Sequence, residues 1–135
     1  TGVRQSRLLQ GEYVVTKDDV MNRQHFTDTV CRGRDYYTPY RSLLPVGIDN
    51  LLVAGRHYSA APDAQRISRE IPPCMAQGEA AGVAAALALS GGTSVRKVDP
   101  KAIQRQMRRQ GADPGDEPSA NANLQASATW HYPEP

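Results

Sequence analysis

The sequence has few of the residues that build large cores, membrane spans and nucleic-acid surfaces. Only 39% of its 135 residues are hydrophobic and 6% aromatic, so we expect a core that is small for the chain length. No run of about 18 apolar residues, the minimum for a spanning helix, is present, so a membrane is not an expected partner. The net charge is only +2, with one basic cluster at residues 105–109 on an expected helix face. Nucleic acid is therefore not an expected partner either.

The sequence also has few residues for a metal site or a disulfide bond, with two cysteines and three histidines. The two cysteines, Cys31 and Cys74, lack the spacing of metal ligands, and we expect free thiols rather than a bridge, which leaves the cellular compartment open. The histidines His25 and His131 have no ligand-spaced partners, so no metal site is expected. The sequence starts at Thr1 instead of an initiator methionine, so we expect the chain to have been cut, processed or built to begin there.

Two segments near the middle of the chain are the most informative. Residues 51–54 are apolar without alternation, which predicts a strand covered on both faces, and Gly55 ends that strand. Further along, the sequence predicts a helix that begins at Pro73 or Cys74, runs to Leu89 and consists largely of Ala and Gly. So many small residues indicate that another element packs very close to this helix.

The segments before that pair have their own signals. Residues 7–15 predict a strand, in which we expect Gly11 at a bulge or a close approach. Thr16, with an acidic residue three positions later, forms a capping-box pattern that predicts a short helix ending near Asn22. Residues 32–35 predict a turn.

The remaining segments are shorter. Residues 40–44 predict an extended run between two prolines, residues 57–72 a loop with a single helical turn, and residues 95–98 a brief strand. Asp99 is the expected N-cap of an amphipathic helix that Gly111 closes. Beyond that helix, a polar stretch punctuated by prolines predicts no regular structure.

Several spaced motifs occur in an order that points to one family. They are residues 2–7 with 11–13, residues 39–45, residues 50–56 and residues 69–82. In this order they resemble the carboxy-terminal part of the FAD-dependent oxidoreductases, flavoproteins with a Rossmann-like FAD domain and an inserted substrate domain. The first motif is similar to that family's strand leaving the substrate domain, the next two to its return into the FAD domain, and the last to its final cofactor-facing helix.

The resemblance implies an α/β fold that is incomplete on its own. It comprises the carboxy-terminal portion of a Rossmann-like FAD-binding domain and a piece of the inserted substrate domain. The expected boundaries are 1–38 for the substrate-domain remnant, 39–111 for the FAD-domain part and 112–135 for a flexible tail. The family's GxGxxG phosphate loop, expected far upstream, is absent from these 135 residues.

The resemblance also implies FAD as the cofactor, with its flavin near the predicted helix start. Unpaired N–H groups and the positive end of a helix dipole can stabilise negative charge on the pyrimidine edge of a reduced flavin. An ordinary alanine-rich helix packed on a sheet is the structural alternative. The expected cofactor-binding residues are Gly55, Arg56, Arg69, Pro73, Cys74, Met75, Ala76 and Gln77.

Alternatives remain open for individual residues. Arg56 is expected at ribityl or phosphate oxygens, or in a surface ion pair with Glu70 or Glu79. Arg69 either anchors the loop or faces an anionic substrate. Cys74 is expected to be a small core residue, since no second cysteine nearby would make a redox pair.

Four further residues are candidates for contact with the substrate. His57 is the candidate catalytic residue, because an imidazole can move a proton while hydride goes to the flavin, although a structural role is common for a lone histidine. Tyr40, Arg41 and Tyr58 are candidates for a substrate pocket, against plain packing and solvation.

The function implied is that of an FAD-dependent oxidoreductase, in which this chain completes the FAD site for hydride transfer between an organic substrate and flavin. The expected partners are an amino-terminal FAD-binding portion or a larger subunit, and a small organic substrate. We expect the isolated chain to be inactive. One alternative is a separate small subunit of a larger flavin-binding protein, and another is an interaction module without flavin.

Overall fold

The computed structural model describes residues 5, 7–34 and 36–117, and within them helices and strands are mixed. This mixture is compatible with the expected α/β class, although no parallel Rossmann-type sheet is present in the described part. The elements are α1 (Lys17–Met21), β1 (Thr29–Arg32), β2 (Tyr37–Pro39), a first 3-10 helix (Tyr40–Leu43), α2 (Pro62–Ser68), α3 (Ile71–Ser90), a second 3-10 helix (Val95–Lys97) and α4 (Pro100–Arg109).

Strands β1 and β2 form an antiparallel hairpin. Thr29 lies opposite Pro39 and Arg32 opposite Tyr37, and the register shifts between Thr29 and Cys31. Between the two strands the Gly33 N–H donates to the Tyr36 carbonyl at 2.9 Å, and the turn expected at residues 32–35 lies partly outside the described residues. Helices α3 and α4 both contact β1, so the core lies between the hairpin and these two helices.

Helix α3 is the longest element and buries one face. Ala80 and Ala84 are fully buried, and they allow the helix to approach its neighbours closely. The helix starts at Ile71, earlier than the predicted Pro73 or Cys74, because prolines in the first turn need no N–H partner. It ends at Ser90, and the Gly91 N–H donates to the Leu87 carbonyl at 2.9 Å.

The two predicted helix caps are confirmed. Thr16 Oγ1 accepts from the Asp19 N–H at 3.1 Å, and Asp19 Oδ2 accepts from the Thr16 N–H at 2.8 Å, which completes the capping box of α1. Asp99 Oδ1 accepts from the Lys101 N–H at 2.9 Å at the start of α4. On the buried face of α4, Ile103 and Met107 are fully inaccessible to solvent.

The predicted strands outside the hairpin are wrong. Residues 51–54 form no strand, because the described residues supply no neighbouring strand; only the Val53 N–H bonds to the Leu43 carbonyl, at 2.9 Å. Residues 7–15 form isolated bridges instead of a strand: Gly11 pairs with Pro45, and Val15 with Ala60.

Three other segments are helical where an extended or irregular structure was expected. Residues 40–43 form a 3-10 helix, in which Ser42 Oγ donates to the Pro39 carbonyl at 2.7 Å. Residues 95–97 form another, begun by Ser94, whose Oγ accepts from the Arg96 N–H. The expected loop at 57–72 contains the seven-residue helix α2, with Pro62 at its first turn.

Arg96, in the second 3-10 helix, bonds to Glu12 near the start of the chain and to the loop at residues 45–49. Its guanidinium forms an ion pair with Glu12, contacts the Pro45 carbonyl, and donates to the Ile48 carbonyl at 2.8 Å and to Asp49 at 3.0 Å. The arginine side chain is only 22% exposed, so these bonds are partly shielded from water. They hold the loop that precedes residues 51–54 against the second 3-10 helix.

After α4, residues 112–117 have no helix or strand, as predicted. They nevertheless contact the body of the protein: Asp113 pairs with Arg32 at 3.1 Å, and the Gly115 carbonyl lies 3.2 Å from His25 Nε2. The rest of the predicted tail, residues 118–135, lies outside the described residues.

The close approach expected at Gly11 gives a stability prediction. A Cβ on Gly11 would lie 2.6 Å from Ser59 Cβ and 3.2 Å from the Leu44 carbonyl oxygen. We expect Gly11→Ala to lower the free energy of unfolding by about 1–3 kcal/mol, because a rigid backbone and a buried side chain must move apart.

The matched control for that substitution is Gly78→Ala. A Cβ on Gly78, within α3, would have no described atom within 4 Å. This change should raise the free energy of unfolding by about 0.5–1 kcal/mol, because alanine favours the helix. Urea denaturation of both variants tests the pair, and equal effects of the two changes would contradict the close approach.

Candidate functional site

The candidate site is a tight turn at Gly55 that follows residues 51–54. Gly55 has a φ of +95°, a conformation that residues with a Cβ rarely adopt. The Tyr58 N–H donates to the Gly55 carbonyl at 3.0 Å and closes the turn. A Cβ on Gly55 would meet none of the described atoms within 4 Å, so one side of the turn is open to an approaching group.

The amino-terminal half of α3 lies directly against this turn. Gln77 Oε1 accepts from the Gly55 N–H at 2.9 Å. The glycine that follows residues 51–54 therefore contacts the amino-terminal half of the long helix. From the other side, α2 reaches the same turn, since Gln65 Nε2 donates to the Arg56 carbonyl at 2.7 Å.

The predicted set of free N–H donors at Cys74 to Gln77 is wrong. Because α3 starts at Ile71, the Cys74 N–H already donates to the Glu70 carbonyl at 3.2 Å, and the following residues lie within the helix. Pro72 and Pro73, in the first turn, have no N–H to offer. What remains at this end is the positive end of the helix dipole.

The structure distributes the predicted cofactor residues between core and surface. Pro73 and Gln77 are buried, so neither side chain is open to a ligand from outside. Met75 is 70% exposed, while Cys74 and Ala76 are half-buried.

The two predicted arginines lie on either side of α2. Arg56 is exposed and lies close enough to Cys74 for its charge to lower the pKa of that thiol. Arg69, half-buried, lies between α2 and α3.

Two of the predicted substrate residues are core residues here. Tyr40 is 2% exposed and its hydroxyl donates to the Val95 carbonyl at 2.7 Å, while Tyr58 is fully buried with its hydroxyl 2.6 Å from Ser68 Oγ. Burial raises the pKa of both phenols above the ordinary value. Their polar atoms are satisfied inside the protein, so neither forms part of a pocket in this structure.

Arg41, the third of these residues, belongs to an aromatic and acidic cluster away from the turn. Its guanidinium lies 4.8 Å from the Tyr13 ring centroid and 5.7 Å from that of Phe26, and Nε lies 3.3 Å from Asp28 Oδ2. The Tyr13 hydroxyl donates to Asp19 at 2.9 Å. His57, the candidate catalytic residue, is exposed next to Arg56.

Sequence reasoning missed the polar residues that hold the turn. Gln65 is 1% exposed and supports the turn from α2. Close by, Ser68 Oγ donates to the Ala64 carbonyl at 2.9 Å, and the Tyr36 hydroxyl donates to the Ser68 carbonyl at 3.0 Å. Glutamines usually lie on the surface, so no pattern in the sequence marks Gln65 before the packing of α2 is known.

The two thiols are free, as expected; Cys31 is buried and Cys74 is half-buried. Burial raises the pKa of Cys31 to about 12, and its Sγ donates to the Pro73 carbonyl at 3.5 Å. Burial also raises the pKa of Cys74, although the charge of Arg56 partly opposes this. A reactive thiolate is therefore disfavoured at both positions.

Metal and membrane sites are not found where the structure can be described. Residues 5, 7–34 and 36–117 contain no group of three or more His, Cys, Asp or Glu side chains able to hold a metal ion. Over the same residues, no helix has both the length and the apolar character needed to span a bilayer.

These thiol environments predict an order of chemical reactivity. At about pH 8, an aromatic disulfide reagent should label Cys74 more slowly than a free cysteine and Cys31 only after unfolding, because only thiolates react. Labelling of Cys74 should accelerate as the pH rises toward its raised pKa. Arg56→Gln should slow it further, since the favourable charge is lost. Equal rates for Cys31 and Cys74 in the folded protein would contradict this assignment.

Comparison with known proteins adds one finding to this geometry. No curated protein and no solved structure matches the chain significantly. The model of the FAD dependent oxidoreductase family matches residues 32–107, which is more than half of the chain and includes the Gly55 turn, α2 and α3. The resemblance noted from the sequence motifs is thereby confirmed, and the chain belongs to the FAD dependent oxidoreductase family.

Proposed function

We propose that this chain completes the FAD site of a flavoprotein oxidoreductase that transfers hydride between an organic substrate and flavin. The observation that carries the proposal is the contact between the Gly55 turn and α3, which lies within the residues that match the family. When bound, the flavin supplies the chemistry of accepting or donating the hydride. The residues of this chain supply position and electric field.

The residues at the turn fit a flat, partly anionic cofactor. Gly55 leaves space on one side where a side chain would otherwise stand, so a planar group can approach the backbone. Arg56 adds an exposed cation suited to ribityl or phosphate oxygens. Beside them, the dipole of α3 favours negative charge by about 0.3–2 kcal/mol, enough to tune a bound flavin.

The field of α3, rather than hydrogen bonds from Cys74 to Gln77, is the proposed contribution of the helix. Cys74 donates within the helix and the Gly55 N–H is taken by Gln77, so neither backbone group serves the cofactor. His57 stays the candidate for moving a proton, since it is exposed beside Arg56 and an imidazole can both accept and donate a proton.

A charge placed at the start of α3 tests the cofactor position. Met75 is 70% exposed in the second turn of the helix, so Met75→Asp adds a carboxylate without disturbing the core. In the flavin-binding assembly that contains this chain, we expect a lower flavin reduction potential or weaker FAD binding, because negative charge would oppose charge on the reduced flavin.

Met75→Asn is the matched control for that experiment. It removes the same exposed methionine and matches aspartate in size but carries no charge, so any loss of partner contact is common to both variants. Potentiometry should give the wild-type flavin potential for this variant. Identical behaviour of the two variants would remove the start of α3 from the cofactor site.

Exposed apolar side chains support the proposal of a protein partner. On α3, Ile71, Met75 and Leu89 are all at least 70% exposed, and Leu51 is 42% exposed. Residues 51–54 have no adjacent strand among the residues described, although their apolar side chains suit a covered strand. We propose that an amino-terminal FAD-binding portion or a larger subunit covers these surfaces.

The partner proposal predicts how the isolated chain behaves. We expect it to bind FAD weakly or not at all, because the sequence contains no GxGxxG loop to hold the pyrophosphate. Light scattering should report association rather than a stable monomer, since apolar surface is exposed. Sub-micromolar FAD affinity in calorimetry, by a monomer that unfolds cooperatively, would contradict the proposal. A colourless assembly with its partner would favour the alternative, an interaction module without flavin.

A further inference from the structure

We infer that Gln65 and Gln77 are positioning residues that together fix the backbone of the Gly55–Arg56 turn. Their value for the cofactor rests on the proposed function, in which a flavin lies against this turn. Neither side chain reaches the surface: Gln65 is 1% and Gln77 0% exposed. They act on the turn from two different helices, α2 and α3.

The two amides and one backbone bond hold three backbone groups of the turn. Gln77 Oε1 accepts from the Gly55 N–H at 2.9 Å, and Gln65 Nε2 donates to the Arg56 carbonyl at 2.7 Å. The Gly55 carbonyl accepts from the Tyr58 N–H at 3.0 Å. The consecutive peptide groups are therefore held at three points, and the Arg56 and His57 side chains are left to face outward.

This turn needs such support because its surroundings provide little. A glycine has more conformational freedom than any other residue, and Gly55 is held at a φ of +95°. A sheet would normally fix the preceding residues, yet in the described structure the Val53 N–H bonds only to the Leu43 carbonyl. The side chains of Gln65 and Gln77 therefore hold the backbone here, as hydrogen bonds between strands do in a sheet.

The amide atoms of Gln65 and Gln77 that do not bond to the turn support this interpretation. Gln77 Nε2 and Gln65 Oε1 are both buried, and neither has a hydrogen-bond partner among the described residues. A buried polar atom without a partner lowers stability, so an apolar residue of similar volume would serve packing better at either position. What glutamine provides here, and an apolar residue does not, is the bond to the turn.

Hydrogen exchange at the Gly55 amide tests the inference on the full chain. In Gln77→Met, which keeps length and volume, protection of the Gly55 N–H should fall roughly tenfold relative to the slowest amides of α3. In Gln65→Met, protection of the Tyr58 N–H should fall similarly. Gln77→Glu keeps an acceptor oxygen in the same place and should restore protection at Gly55.

Gln104→Met is the matched control. Gln104 is 1% exposed, donates from Nε2 to the Thr27 and Thr29 carbonyls at 3.1 and 2.8 Å, and likewise has an unpaired Oε1. Its loss should reduce stability without changing the relative protection of Gly55. Unchanged Gly55 protection in Gln77→Met, or an equal fall in Gln104→Met, would overturn the inference. If Gln77→Met does not fold, the Gln65→Met result decides in the same way.

FAD titration of the flavin-binding assembly separates this inference from the proposed function. If both are right, Gln77→Met weakens FAD binding roughly tenfold, while Gln104→Met leaves it unchanged. If Gly55 loses protection but FAD affinity stays at the wild-type value, the two glutamines do position the turn, and the placement of the flavin against it is wrong.

Discussion

The burial of a single face of α3 is the constraint on which the rest of the structure depends. Its alanines pack against the β1–β2 hairpin and α4, and only such small side chains allow this close approach. This packing fixes the position of the amino-terminal half of α3. Gln77, in that half, in turn holds Gly55 through its hydrogen bond to the Gly55 N–H. Core packing and the candidate site are thus connected through one element.

The opposite face of α3 follows from the same composition. Its exposed positions include Met75, Gly78, Gly82 and Leu89, and Glu79 is the one charged residue of the helix, whereas several charged residues usually cover a solvent-facing helix. A helix whose exposed positions are mostly apolar or small is typical of one covered by other elements on most sides. This pattern, together with the lack of a strand beside residues 51–54 among the described residues, is why the proposed function includes a partner.

Most of what the sequence predicted correctly was determined by local interactions. Thr16 and Asp99 cap helices with their own neighbours in sequence. Gly11 is the exception, since it marks a close approach to Ser59, which is distant in sequence, and a glycine within a strand-like run indicates such an approach without naming the partner. Residues 51–54 were assigned wrongly because a strand exists only through its neighbours. The 3-10 helix at Tyr40–Leu43 depends on bonds such as that from Ser42 to Pro39, which apolar patterning does not reveal.

The candidate site shows the same division between local and long-range information. Gly55 and the beginning of the family-like helix were identifiable because small residues at special positions leave a visible pattern. Gln65 lies in α2 and Gln77 in α3. Both reach the Gly55 turn only after the two helices have packed, so the sequence does not show that they bind the same turn. The shift of the helix start to Ile71 changes the proposed chemistry as well, because it removes the free donors and leaves the helix field. The proposed role of this chain is therefore to position and polarise a cofactor through the Gly55 turn and the field of α3, rather than through direct hydrogen bonds from the helix end.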